Sequence, residues 1–427
     1  MIALNRSTLP ASTVPGSAVP DVPADGGPRR VLVVRNGFIG DTVLAIPFLR
    51  NLRRRFPDAV IDVLVEPGSG DVLADCPYKN ELLPWRRPQR VGRSLLASMA
   101  NIVSTARWLR GRGYDRAYVL KRSLSSVLLV RLAGIPHRVG FASRHRSPLL
   151  TRSIPIRPQR HEVELFLDLL RGDGIEVDDG RNENWLVEAA VQRVEGLLGR
   201  VPPGRSRVFI APESTDIHRR WPLGRMAGVV ASLVNDRGCE IFLCGSLRDA
   251  GAHATILSLV GPAVAAHVHD HSAALSLRET AALLARMDLC IGVDTGLPHI
   301  AASLGVPVVK LYGPTDPCQW HPWKAESQAV VAEKPAPTPM LGITAERVIA
   351  AACRLLESPA SKRQRRPPTA NDLKTFDFRT VDHRYEVFTS ESPAWEPAGE
   401  TAACDGVRST RLRAAAVPAT KPLAQAH

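Results

Sequence analysis

In the stretch Ile291 to Pro317, IGVDTGLPHIAASLGVPVVKLYGPTDP, four residues able to do chemistry lie close together directly after an apolar run: Asp294, Thr295, Gly296 and His299. A polar turn that opens a helix leaves backbone amides unpaired. Such amides, backed by the positive end of the helix dipole, hold phosphate oxygens. Gly296 admits a ligand where a Cβ would obstruct it. Thr295 and the Gly296 amide therefore suit a phosphate, Asp294 suits sugar hydroxyls, and His299 in the same first turn can donate to a phosphate oxygen. The competing reading is an N-cap aspartate beside a partly buried structural histidine.

A second constellation is Asp41, in the run Arg35, Asn36, Gly37, Phe38, Ile39, Gly40, Asp41, Thr42. Two glycines permit a tight turn, and a carboxylate placed after them can take a proton from a substrate hydroxyl. Local pattern alone favours a plain helix N-cap. The glycine spacing is not that of a dinucleotide fingerprint, and no third glycine follows. A third constellation is Arg219 with Arg220, just before Trp221 and Pro222. Two cations beside a helix start neutralise a diphosphate, and arginine does so bidentately. Surface arginine pairs are common; this one gains weight from an expected position on the same sheet edge as Asp294. No paired acids or histidine cluster sits at metal-ligand spacing in these loops, so no metal is expected. His267, His269 and His271 alternate and read as an edge strand and loop rather than a chelate.

These residues need elements to position them. An apolar strand at Arg30 to Val34 leads through a glycine-bearing loop into a helical stretch, Asp41 to Arg55, which Pro47 kinks or restarts. A strand at Val60 to Val65 follows, and that order implies parallel pairing with a right-handed crossover. Strands at Arg116 to Leu120 and Arg138 to Gly140 and a helix at Val163 to Arg171 continue the array, which fades near Asp178 to Asn184. A second unit restarts with a strand at Arg207 to Ala211, the loop Pro212 to Arg220, and a helix entered through Trp221 and Pro222. Then come a strand at Glu240 to Cys244, a helix around Ala250 to Val260, and a capping-box pair, Ser276 and Glu279, before Thr280 to Arg286. The helix after Gly296 stops at Gly305, and a strand from Val306 to Leu311 runs into Gly313, Pro314, Thr315 and Asp316. The fold class is therefore α/β, with two doubly wound domains, 29–190 and 205–358, facing one another across a cleft that holds the substrate. Segments 1–28 and 359–427 mix Pro, Ala, Ser, Gly and Arg without an apolar period, and disorder is expected there.

The chain has 427 residues, is 44% hydrophobic, and carries a net charge of +13. That charge favours an anionic partner: a phosphorylated sugar, an anionic lipid headgroup or nucleic acid. An aromatic content of 5% offers few stacking platforms and counts against single-stranded nucleic acid. Much of the arginine lies in two clusters, Arg86, Arg87, Arg90, Arg93 and Arg144, Arg146, Arg152, Arg157, Arg160; a binding face and a solvated surface fit them equally. Cys239, Cys244 and Cys290 fall in or beside strands and read as small core residues, with neither a disulfide framework nor a zinc cluster. With no leader pattern and no run of about 18 uncharged apolar residues, a cytoplasmic location is expected.

Four segments in order, RNGFIGDTVLAIPFLRNLRRRFPDAVIDVLVEP, HEVELFLDLL, RRWP and GVDTGLPHIAASLGVPVVKLYGPTDP, resemble glycosyltransferase family 9, the ADP-heptose:lipopolysaccharide heptosyltransferases and their relatives. The resemblance spans about Val31 to Ala351. It implies a GT-B fold and metal-independent inverting transfer, with a nucleotide-sugar donor, ADP-heptose, in the C-terminal domain. It also implies an anionic glycolipid acceptor on the N-terminal domain, with peripheral contact at the inner membrane and no cofactor. By resemblance Asp41 is the catalytic base, Arg219 contacts the donor diphosphate, Asp294, Thr295, Gly296 and His299 bind the donor, and Asp249 lies near the nucleotide ribose. The chain departs from the family pattern at Pro212, Glu213 and Ser214 and at Gln319 to Trp323, where two tryptophans replace small residues. Rival readings are a nucleotide-sugar epimerase on the same fold and a non-catalytic basic protein that binds anionic lipid.

Overall fold

The computed structural model describes residues 27–86, 95–325, 327–332 and 339–358. Arg87, Arg90, Arg93, the 359–427 tail and nearly all of segment 1–28 lie outside the described residues. The first array runs β1 (Arg30–Arg35), α1 (Ile39–Val43), α2 (Ile46–Arg55), β2 (Val60–Val65), β3 (Leu82–Pro84), α3 (Leu95–Arg110), β4 (Arg116–Val119), α4 (Leu124–Leu132), β5 (His137–Phe141), β6 (Arg152–Ile154) and α5 (Glu162–Gly172). The second runs α6 (Glu188–Leu198), β7 (Arg207–Ala211), α7 (Leu223–Arg237), β8 (Glu240–Leu243), α8 (Ala250–Ala265), β9 (Val268–Asp270), α9 (Leu277–Leu284), β10 (Leu289–Val293), α10 (Gly296–Ser303), β11 (Val308–Tyr312), α11 (Pro317–Trp320), β12 (Ser327–Val331) and α12 (Ala345–Glu357).

Each array forms a six-stranded sheet, in the orders β3-β2-β1-β4-β5-β6 and β12-β11-β10-β7-β8-β9, and every pairing is parallel. Strands such as RVLVVR in β1 and LCIGV in β10 are buried along nearly their whole length, as expected when helices cover both faces of a parallel sheet. Strand order reverses at β1/β4 in one sheet and at β7/β10 in the other. Ligands in such sheets sit beyond the carboxyl ends of the strands at that reversal. A continuous apolar cluster joins the two arrays, running from Val31, Phe48 and Phe166 to Cys244, Ala281 and Ile300.

The single helix expected over Asp41 to Arg55 is two helices, with Pro47 in the first turn of α2. Proline restarts the chain there, because its missing N–H costs nothing at a helix start and its ring would clash inside a helix. The boundary expected at residue 190 falls within α6, which packs on α9 and buries Ala190, Val194 and Leu198 in the shared cluster. The irregular stretch before it is held by buried Arg50 of α2, which pairs with Asp179 at 3.1 Å and with Glu183. Strands β3, β6 and β9, of three residues each, are too short to show a period in sequence.

The first turns of α1 and α10 meet end to end across the cleft. A Cβ on Gly296 would lie 2.7 Å from Ile39 Cβ and 3.1 Å from the Gly40 nitrogen, and one on Gly40 would lie 2.9 Å from His299 Cδ2. Glycine is required at both positions for this approach. Gly296→Ala should therefore lower unfolding stability by about 1–3 kcal/mol through overpacking. Gly228→Ala on the exposed side of α7, with nothing within 4 Å of the added carbon, should raise it by about 0.4–1 kcal/mol. Denaturant titration of both variants tests this, and wild-type stability in Gly296→Ala would disprove the close contact.

Candidate active site

Asp41 is the third residue of α1, whose N-cap is Phe38, so it is not the cap that its local pattern favoured. Its Oδ2 accepts from Arg35 Nη2 at 2.9 Å and from the Phe38 backbone N–H at 3.3 Å, while Arg35 Nε donates to the Asp41 carbonyl at 3.1 Å. Arg35 ends β1, is buried, and lays its guanidinium over the Phe166 ring at 5.2 Å. The glycine at 37 permits this clamp, since a Cβ there would lie 2.8 Å from Asp41 Oδ2. Among the described residues both side-chain contacts of Asp41 fall on Oδ2, leaving Oδ1 available to a substrate hydroxyl.

On the opposite side, Asp294 follows β10, and the N-cap of α10 is Thr295. Asp294 is not a cap either. Its Oδ1 meets Lys310 Nζ at 2.7 Å and its Oδ2 meets Arg219 Nη1 at 3.0 Å. Arg219 also contacts Asp216 at 3.3 Å, whereas Arg220 turns away to Glu213 at 3.0 Å and to the Ser214 carbonyl at 2.9 Å. The pair adjacent in sequence thus splits between two acids. Asp249 Oδ2 accepts from the backbone N–H and hydroxyl of Ser246 at 2.6 and 2.9 Å. It lies near enough to Glu213 to add to the rise in that carboxyl's pKa, which burial mainly causes.

Lys310 was not singled out from the sequence. It is wholly buried in β11, opposite Gly292 of β10, and donates to His299 Nε2 and to the Trp320 carbonyl, each at 2.8 Å. An ammonium has only donors, so Nε2 accepts and the ring proton sits on Nδ1. That Nδ1 is buried and has no hydrogen-bond partner among the described residues. Burial, and then the Lys310 charge, hold His299 well below the usual histidine range, so the ring is neutral. Burial also lowers Lys310, with Asp294 opposing it, and Asp41 is among the more distant charges acting on it. The signal missed was one charge inside the apolar strand Val308, Val309, Lys310, Leu311, Tyr312; a lysine buried in a parallel strand requires a partner.

The unusual stretch Gln319 to Trp323 is a strap between the arrays. Gln319 Nε2 donates to Glu162 at 2.9 Å, His161 Nε2 donates to the His321 carbonyl at 2.9 Å, and Trp323 stacks on His161 with ring centroids 4.4 Å apart. Trp323 Nε1 also reaches the Gly180 carbonyl at 2.6 Å, and the Trp320 carbonyl accepts from Tyr312 at 3.0 Å as well as from Lys310.

The arginine-rich face is divided. Arg160 pairs with Glu164 at 3.2 Å and Asp168 at 3.3 Å, and Arg157 approaches Asp168 at 4.0 Å, which neutralises that part. Past the carboxyl ends of β4 and β5, Arg122 pairs with Glu162 at 2.6 Å and is near enough to Arg146 for its charge to act on it, while Arg86, Arg144 and Arg152 are exposed. His269 lies on the edge strand β9, and His267 and His269 hold the buried Glu240 carboxylate at 3.0 and 2.8 Å.

The model of the family described as glycosyltransferase family 9 (heptosyltransferase) matches residues 102–345. Lipopolysaccharide heptosyltransferase 2 of Escherichia coli strain K12 is 28% identical over 306 residues, covering 67% of this chain and 84% of the relative. The solved structure of E. coli ADP-heptose lps heptosyltransferase II superposes with a TM-score of 0.65 at 24% identity, covering 77% of this chain and 98% of that one. E. coli heptosyltransferase WaaC with ADP-2-deoxy-2-fluoro heptose gives 0.59 at 23% identity, covering 77% and 99%. These two structures share the fold of paired doubly wound domains, the GT-B arrangement. Taken with the clamped carboxylate facing a glycine-opened helix across the cleft, the family match over more than half of the chain has one consequence: the protein belongs to glycosyltransferase family 9 and is a glycosyltransferase.

Proposed function

We propose that the protein is an inverting, metal-independent heptosyltransferase that moves heptose from ADP-heptose to an anionic lipopolysaccharide-core acceptor. The observation that carries this reading is the Arg35-clamped carboxylate of Asp41 at the point where α1 meets the Gly296 turn. The acceptor hydroxyl gives its proton to Asp41 Oδ1 as its oxygen attacks the anomeric carbon from the face opposite the nucleotide. The bond from that carbon to the diphosphate oxygen breaks, and its electron pair leaves with the nucleoside diphosphate. One displacement inverts the anomeric centre. Arg219, Arg220 and the amides of Thr295 and Gly296 stabilise the departing diphosphate, Asp294 holds the sugar, and Asp249 approaches the ribose. Base assistance contributes on the order of 100 to 10,000-fold, and leaving-group stabilisation is commonly larger.

The names of the relatives support the sugar and the nucleotide: one is a lipopolysaccharide heptosyltransferase, and one solved neighbour holds an ADP-linked fluoro-heptose. For the acceptor, the support is Arg146 and the exposed Arg144 past β5; nearby Arg122 is paired with Glu162 at 2.6 Å. Among the described residues no helix is long and apolar enough to cross a membrane. Reversible contact with the cytoplasmic face of the inner membrane follows if each basic residue adds about 1 kcal/mol at an anionic surface.

The test is nucleotide release from a panel of nucleotide sugars, with and without lipid-core acceptor in anionic or neutral vesicles, at low and high salt and with EDTA. Release should require ADP-heptose and acceptor together, survive EDTA, and be fastest on anionic vesicles at low salt. Donor consumption without acceptor would favour an epimerase. Activity lost in EDTA and restored by magnesium would overturn the metal-free mechanism.

A further inference from the structure

Lys310 is a buried charge that the mechanism above does not use. Asp294 is itself 6% exposed and holds two cations, Lys310 at 2.7 Å and Arg219 at 3.0 Å. The two cations differ in freedom. Lys310 has no exposed surface, and its remaining hydrogens are taken by His299 Nε2 and the Trp320 carbonyl. Arg219 is 34% exposed, reaches Asp294 through Nη1 alone and meets the more exposed Asp216 at 3.3 Å through Nε, so its outer guanidinium nitrogens can turn away from Asp294.

A diphosphate arriving at the Gly296 turn competes with Asp294 for Arg219. If Arg219 were the sole partner of Asp294, its departure would leave a buried carboxylate unpaired, which is strongly unfavourable. Arg219 would then stay on the acid and be lost to the ligand. We propose that Lys310 is a positioning residue that keeps Asp294 neutralised while Arg219 turns to the donor diphosphate, and that holds His299 with its proton on Nδ1. The inference rests on the donor reading given under the proposed function. Register supports it: Lys310 stands opposite Gly292, two residues before Asp294 on β10, so the two side chains emerge on one face of neighbouring strands. The strap holds the ammonium in place through the Trp320 carbonyl.

A double-mutant cycle of Lys310→Met and Asp294→Asn, titrated calorimetrically with ADP, GDP and UDP, tests the proposal. In the wild-type background Lys310→Met should weaken the best-bound nucleotide about tenfold or more, because Asp294 then retains Arg219; in the Asp294→Asn background it should cost about threefold or less, because no buried carboxylate is left to satisfy. If Lys310→Met does not fold by near-UV circular dichroism, Lys310→Gln takes its place in the cycle. An equal loss in both backgrounds, or no loss in the wild-type background, overturns the role of Lys310 while leaving the donor site standing. A wild-type protein that binds none of the nucleotides overturns the donor reading and this inference with it. Nitrogen-15 spectra supply a second readout: wild-type His299 should show Nδ1 protonated and Nε2 bare, and Lys310→Met should lose that preference. An unchanged tautomer overturns the positioning of His299.

Discussion

Asp41→Asn should lower kcat at least ~100-fold while nucleotide affinity stays near wild type, since the amide keeps the size of the carboxylate and cannot take the acceptor proton. The substitution also removes the counter-charge of Arg35, whose side chain is 3% exposed. Some loss of stability therefore accompanies it, and melting must be followed in parallel so that unfolding is not read as lost chemistry. Loss of kcat in a folded protein that still binds nucleotide is the expected outcome. Near-normal turnover would reduce Asp41 to the partner that fixes Arg35 at the end of β1. In the proposed mechanism position is what suits Asp41 to the role of base: its Oδ2 is held by an arginine from the preceding strand and an amide three residues earlier, and the short helix that carries it abuts the Gly296 turn.

Arg219→Ala should reduce kcat/KM by about 100- to 1,000-fold, the scale seen when one preorganised donor to a developing anion is removed, with the donor KM also rising. The fold should hold, because Asp294 keeps Lys310 at 2.7 Å after Arg219 is gone. Arg220→Ala should cost less, since Arg220 is engaged by Glu213 and the Ser214 carbonyl, away from Asp294. Steady-state kinetics with the donor varied at fixed acceptor distinguishes the two arginines. Equal losses would show that the ligand draws both into one cluster and that their separation belongs to the free protein.

The two α/β arrays and most of their central strands are legible in the chain alone, because apolar runs and the glycines and prolines that interrupt them are local signals. Val60 to Val65 and Arg207 to Ala211 were placed to the residue, and the Ser276–Glu279 capping box stands as expected. The positions of Asp41, Arg219, Asp294, Thr295, Gly296 and His299 shortly after strands are equally local, and Asp41, Gly296 and His299 lie in the first turns of α1 and α10. Which side chains pair depends on how the strands are arranged in space. Arg219 and Asp294 are 75 positions apart, and they meet because β7 and β10 are neighbours at the point where strand order reverses. Lys310 reaches Asp294 through the register of β10 on β11, and Trp323 reaches His161 only once the two arrays have docked. A charge in a strand gives no local sign of its partner: pairing is set by which strands lie side by side and in what register, and burial then makes that partner obligatory.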